Sequence, residues 1–274
     1  MTILSETTQL VKETLGKDLY GLAVERAVVG IFFTGVKLTN GAAGVCFTPV
    51  GELPEAVCCP SSAGRSFDPL KIRGMDVNLV LSALNSTEPI KTAIAIATLN
   101  ALSATCWERR STGQYIMREG LDALGVVRMP EGASVAVVGA IVPTLKTLKT
   151  RGGNWWVIEQ DMRRLKEDEI PHFVPADRSD EVIPQADVLI VTGATLVNHT
   201  LEPILAAARE EAEIAVIGPT ASLLPEPLFE RGVRVVGGVW VKRPDELLEV
   251  LAAGGSGYHF LDSLATRIVM EKEG

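Results

Sequence analysis

A chain of 274 residues with a formal net charge of −8 and a pI near 5.1 lacks the clustered Lys and Arg of a phosphate-tracking surface, so nucleic acid is not an expected partner. Hydrophobic residues at 47% against 22% charged exclude a disordered chain, and the length predicts two domains. No apolar run approaches the roughly 18 residues of a membrane span, and MTILSETTQLVKE has neither a basic n-region nor a long apolar h-region, so a cytoplasmic location without membrane contact is expected.

The first predicted element is a helix from Ser5 to about Leu15, with Ser5 as its cap and Gly16 as its stop. From Val24 the pattern turns to β-branched and aromatic residues broken by Asn40-Gly41, a pair that tolerates positive φ and signals a hairpin. A loop of residues 49–66 follows. All four cysteines (Cys46, Cys58, Cys59, Cys106) fall in the first 106 residues without CxxC spacing, which predicts reduced, mostly buried thiols. A thiophilic metal at Cys58-Cys59 stays open only if Pro60 turns the chain, because neighbouring side chains of an extended segment diverge.

STEPIKTAIAIATLNALSA predicts a buried helix, with Thr87 as a cap, Pro89 in the first turn and Ile90, Ala93, Ile94, Ala97 and Ala101 at helical spacing. Asn100 sits among small residues near its end. Either nearby backbone satisfies it or it points into an interdomain cleft. The segment 111–133 carries four glycines and a proline, and a domain boundary is placed there, with domains at 1–128 and 129–274.

From Ser134 the runs SVAVVGAIV, NWWVIEQD, ADVLIVTG, EIAVIGP and VRVVGG alternate with helix-length segments. Such spacing predicts βαβ units and a buried parallel sheet, hence an α/β, Rossmann-like second domain. Ligands of such sheets bind beyond the carboxyl ends of the strands. Three of those ends are small or hydroxyl-bearing: Gly139-Ala140, Thr192-Gly193-Ala194-Thr195 followed by Asn198, and Gly218-Pro219-Thr220-Ala221-Ser222. Amides and hydroxyls at helix starts favour oxyanions, although the same residue types also serve as plain helix caps.

The first βα turn, VVGAIVPTLK, has one glycine where a dinucleotide fingerprint has three, and Pro143 removes a donor. Classical NAD or FAD binding is therefore not expected. Glu159 nevertheless stands at the end of the second strand, where a ribose-binding carboxylate belongs, so an S-adenosylmethionine-type ligand stays open. His199 follows TGATLVN, where a helix start would favour a neutral ring able to ligate metal or accept a proton. No HExxH, paired-carboxylate or nucleophile-elbow pattern occurs, and no catalytic residue is assigned.

The motifs VKLTNGAAGVCF, IATLNALSA, VVGAIVP, VLIVTGATLVNHTLEPIL and VIGPTASLLPEPLFERGVRVVGG together resemble a prokaryotic family of heavy-metal chelation proteins. That resemblance implies a smaller α+β, enolase N-terminal-like first domain and a Rossmann-like second one. It also implies a site between them built from Asn100 and from the turns at Thr192 to Asn198 and Gly218 to Ser222. Neither His199 nor Cys58-Cys59 belongs to the family pattern.

These features lead to an expected binder of a small anionic ligand or metal chelate, with a divalent metal or its chelate as the candidate cofactor. The candidate contacts are Asn100, Gly139, Glu159, Thr192, Gly193, Thr195, Asn198, Gly218, Pro219, Thr220 and Ser222. A nucleoside-dependent transferase using Glu159 is the alternative. The apolar stretch GIFFTGV calls for cover beyond its own domain, and a homodimer is expected.

Overall fold

The computed structural model describes residues 1–52, 68–109 and 115–272. Cys58-Cys59 lies outside the described residues. Helix α1 (Ile3–Leu15) is capped by Thr2 instead of Ser5. Ser5 occupies the third helical position and completes a reciprocal capping box with Thr2.

Strands β1 (Val24–Val29), β2 (Phe33–Leu38) and β3 (Ala43–Phe47) form an antiparallel sheet in that order. The β2–β3 turn is the hairpin expected at Asn40-Gly41. Gly41 has φ +89°, and Asn40 Oδ1 accepts from the Ala42 N–H at 3.2 Å.

Two helices follow among the described residues, α2 (Val77–Leu81) and α3 (Pro89–Arg109). Every residue of α3 from Thr92 to Trp107 is buried, because the small sheet covers one side and the rest of the chain the other. Its alanines let neighbours approach its backbone. At Gly44 on β3, a Cβ would lie 2.3 Å from the Ala97 carbonyl oxygen and 2.4 Å from the Ala101 nitrogen, so only glycine fits there.

The larger sheet contains β4 (Tyr115–Glu119), β5 (Val135–Val138), β6 (Trp155–Glu159), β7 (Phe173–Pro175), β8 (Val188–Thr192), β9 (Glu213–Ile217), β10 (Val233–Val241) and β11 (Ala265–Lys272). Among the described residues its order is β4-β11-β10-β9-β8-β5-β6-β7. Strands β5 to β10 are mutually parallel. Counted from β5 they run 3-2-1-4-5-6, a doubly wound order. Two strands extend the β10 edge through antiparallel pairings, β11 on β10 and β4 on β11. One of them, β4, precedes residue 128 in the chain.

Helices α4 (Val142–Arg151), α5 (Leu201–Ala207), α6 (Glu226–Phe229), α7 (Pro244–Ala252) and α8 (Gly257–Phe260) complete the fold among the described residues. Helix cover explains why β5 is buried along its whole length and β8 along all but its last residue. The first of three apolar clusters among the described residues runs from Ile3 of α1 through Leu99 and Leu102 of α3 to Leu189, Val216 and Val236 of the large sheet. Burial across this boundary couples the stability of the two sheets. Among the described residues no helix is long and apolar enough to cross a membrane.

Candidate ligand-binding cleft

A cavity of ≈ 1180 Å³ lies at the carboxyl ends of the parallel strands. It is lined by the ends of β5, β6, β8 and β9, by the middle of β10, and by Phe32, Phe47, Pro49, Val50 and Gly51 around the small sheet. Strands β5 and β8 are neighbours whose following connections diverge to opposite sides of the strand order, which is where doubly wound sheets open a crevice. Most of the lining is apolar, with a few polar groups set into it, as in small-molecule sites.

Seven of the candidate residues line this cavity: Gly139, Glu159, Thr192, Thr195, Asn198, Gly218 and Pro219. Gly139 has φ +93°, and a Cβ there would meet Thr192 Cγ2 at 2.8 Å, so the first βα turn lies directly against the end of β8. The buried Glu159 carboxylate accepts from the N–H groups of Gln160 (2.7 Å) and Ala140 (3.1 Å) and from Arg164 Nη1 (3.3 Å). It thereby spends an amide of the first turn that an anion would otherwise use. Thr195 Oγ1 donates to the Thr192 carbonyl at 2.7 Å, and Asn198 Oδ1 accepts from Thr200 Oγ1 at 2.7 Å.

The other four, Asn100, Gly193, Thr220 and Ser222, are not among the lining residues. They form a buried joint beside it. Asn100 Nδ2 donates to the carbonyls of Val45 (2.8 Å) and Thr220 (3.0 Å). The Thr220 hydroxyl accepts from the Phe47 N–H at 2.9 Å. Ser222 Oγ donates to the Pro219 carbonyl at 2.7 Å and accepts from the Val239 N–H at 2.9 Å. At Gly193 a Cβ would stand 2.9 Å from the Ala221 nitrogen. Side chains of the 219–222 turn and of α3 thus satisfy backbone groups at the β3 edge and on β10. Cys46, buried in the same joint, has its thiol pushed up out of the ordinary range by burial, against a hydrogen bond with Thr220.

His199 is exposed at φ +57° and does not line the cavity. His172 is stacked on Trp155, with ring centroids 3.6 Å apart, and bonded to the Trp155 carbonyl. His259 completes a capping box with Ser256. Sequence reasoning did not single out Arg164, which lines the cavity. It also missed Thr144, whose hydroxyl is buried at the cavity without a hydrogen-bond partner. An Arg five positions beyond a strand-end acid was the available signal for the first. The second had none.

Family models match two stretches of the chain. DUF364, with the description "Putative heavy-metal chelation", covers residues 122–270, and DUF4213, with the same description, covers residues 12–103. The chain belongs to the DUF364 family. An uncharacterized protein of Methanocaldococcus jannaschii is 24% identical over 183 residues, which is 66% of this chain and 66% of that relative, just under two thirds of its length. Two solved structures of DUF364 proteins of unknown function share the fold. The one from Pyrococcus horikoshii has TM-score 0.77 and 22% identity, over 98% of this chain and 100% of that one. The one from Desulfitobacterium hafniense has TM-score 0.72 and 20% identity, over 98% and 99%.

The family description raises the question of a resident metal. Among the described residues no three or more His, Cys, Asp or Glu side chains come together as a metal-holding group. Glu159 is already engaged by three N–H donors. The described residues of the cleft therefore do not fit a bare ion held by their own side chains.

Proposed function

We propose that this DUF364 protein binds a small anionic ligand or metal chelate in the cleft, and acts in metal or metallophore handling. The observation that carries the reading is the cavity itself. Its ≈ 1180 Å³ is organic-ligand scale, whereas the described residues lack the donor set for a naked cation. In this reading the metal arrives as a chelate, with donors of its own. The α4 N-terminus at the cleft, where Val142 and Pro143 line the cavity, favours negative charge.

The test is native mass spectrometry combined with inductively coupled plasma mass spectrometry, on protein prepared without affinity tag or chelator. The expected result is a copurifying organic mass together with stoichiometric metal. If neither copurifies and added chelates are not retained, the reading is wrong.

One observation favours a second reading. Glu159 ends the strand that is second in the 3-2-1-4-5-6 order and lines the cavity, the position that contacts ribose in nucleotide-binding sheets. A transferase using S-adenosylmethionine would bind that cofactor in calorimetry and lose it in Glu159→Gln. Binding of the cofactor without loss in the variant would exclude this role for Glu159.

A further inference from the structure

The rim of the cleft carries exposed apolar side chains. Phe32, Val50, Leu121 and Val142 all line the cavity, yet remain between 39% and 51% exposed. They come from both sides of it. Phe32 and Val50 flank the small sheet and are linked through Thr48, whose N–H donates to the Phe32 carbonyl at 3.0 Å and whose carbonyl accepts from the Val50 N–H at 2.8 Å. Leu121 follows β4, and Val142 opens α4. Single exposed apolar side chains are ordinary, but several gathered on one concave rim mark a surface that binding covers.

Arg164 adds charge to the same lining. Its side chain is 53% exposed, and among the described residues the guanidinium makes one hydrogen bond, the long contact with Glu159 at 3.3 Å. A guanidinium has five N–H donors in a planar fork that matches a carboxylate. The fork lies near Gly51, with Nη2 3.7 Å from where a Cβ would stand, so it reaches across the cleft toward the small sheet. Arg267, by contrast, is paired with Asp262.

We infer that the ligand is amphiphilic: a broad apolar or aromatic body that covers Phe32, Val50, Leu121 and Val142, and ends in a carboxylate received by Arg164. This deepens the chelate reading of the cleft and rests on it. Small hydrophilic chelates match the charge but leave the apolar rim in water. Burying that rim supplies the preference.

The test compares two ferric probes on the full chain by isothermal titration calorimetry: haemin, an apolar macrocycle with carboxylates, and ferric citrate, which has carboxylates and no apolar body. Haemin is expected to bind one to one, at least about tenfold more tightly than ferric citrate. Leu121→Ser/Val142→Ser should weaken haemin about tenfold and leave citrate unchanged. Arg164→Gln should weaken both. All the substituted side chains are well exposed, and thermal melts matching wild type would establish that the variants fold. Ferric citrate binding as tightly as haemin would overturn the inference and leave the chelate reading standing. Haemin binding indifferent to both variants would reduce it to adventitious stacking and also overturn it. Failure of both probes to bind would overturn the inference and the chelate reading together.

Discussion

Asn100 on α3 donates a hydrogen bond to the Thr220 carbonyl at 3.0 Å, joining residues 120 positions apart in the chain. The same amide also holds the Val45 carbonyl, so one side chain ties helix, small sheet and large-sheet turn into a single joint. Asn100→Ala should lower unfolding stability by about 2–4 kcal/mol, since each buried carbonyl left without a donor costs roughly 1–3 kcal/mol. Asn100→Asp should be worse, because it sets a carboxylate against two carbonyl oxygens. Urea denaturation measures both, and a loss below ~1 kcal/mol for alanine would show that the joint does not depend on this residue.

Thr220→Val removes the acceptor for the Phe47 N–H while keeping the side-chain shape. The expected loss is about 1–3 kcal/mol, with faster native-state hydrogen exchange at the Phe47 amide. Thr220→Ser keeps the hydroxyl and should keep the protection. The adjacent Cys46, its thiol held protonated chiefly by burial, should resist alkylation in the native protein and react only after unfolding. Peptide mapping after iodoacetamide treatment checks this.

Gly139 and Thr192 should be energetically coupled. Gly139→Ala suffers twice, from φ +93° and from a Cβ 2.8 Å from Thr192 Cγ2, and should destabilise by about 2–4 kcal/mol. Thr192→Ser removes that methyl group. The double variant should therefore be more stable than the sum of the single effects predicts, by ~1 kcal/mol. Strict additivity in thermal melts would rule out the contact as a source of the strain.

The Glu6–Arg231 pair, at 2.6 Å, fastens α1 beside α6. The hydrogen bond with Arg231 holds the Glu6 carboxyl below its ordinary value of 4.5. A lowered carboxylate pKa adds stability that is full above the unfolded value and is lost as pH falls through the folded one. Stability should thus decline on acidification below about pH 4.5, and Glu6→Gln should flatten that part of the curve. Parallel slopes for wild type and variant in urea melts across this range would show that the pair does not contribute.

Much of the fold is legible along the chain because its signals are local. Asn40-Gly41 specifies its turn through φ tolerance. The β-branched runs from Val135 to Val241 specify buried parallel strands, and the apolar spacing from Ile90 to Ala101 specifies a buried helix. The strand-end positions of Gly139, Glu159, Thr192 and Gly218 follow from the same periodicity. That periodicity also brought seven of the candidate residues to one cavity.

Tertiary structure alone decided which polar side chains face that cavity and which close the joint beside it. Thr195 and Thr220 occupy equivalent places in their motifs. Thr195 lines the cleft, whereas the Thr220 hydroxyl is taken by the edge of β3, a strand 173 residues away. The physical reason is that a buried hydroxyl or amide turns toward whichever unsatisfied backbone group packing brings within reach. That group belongs to a distant part of the chain, so the assignment is made only when the two sheets meet around α3.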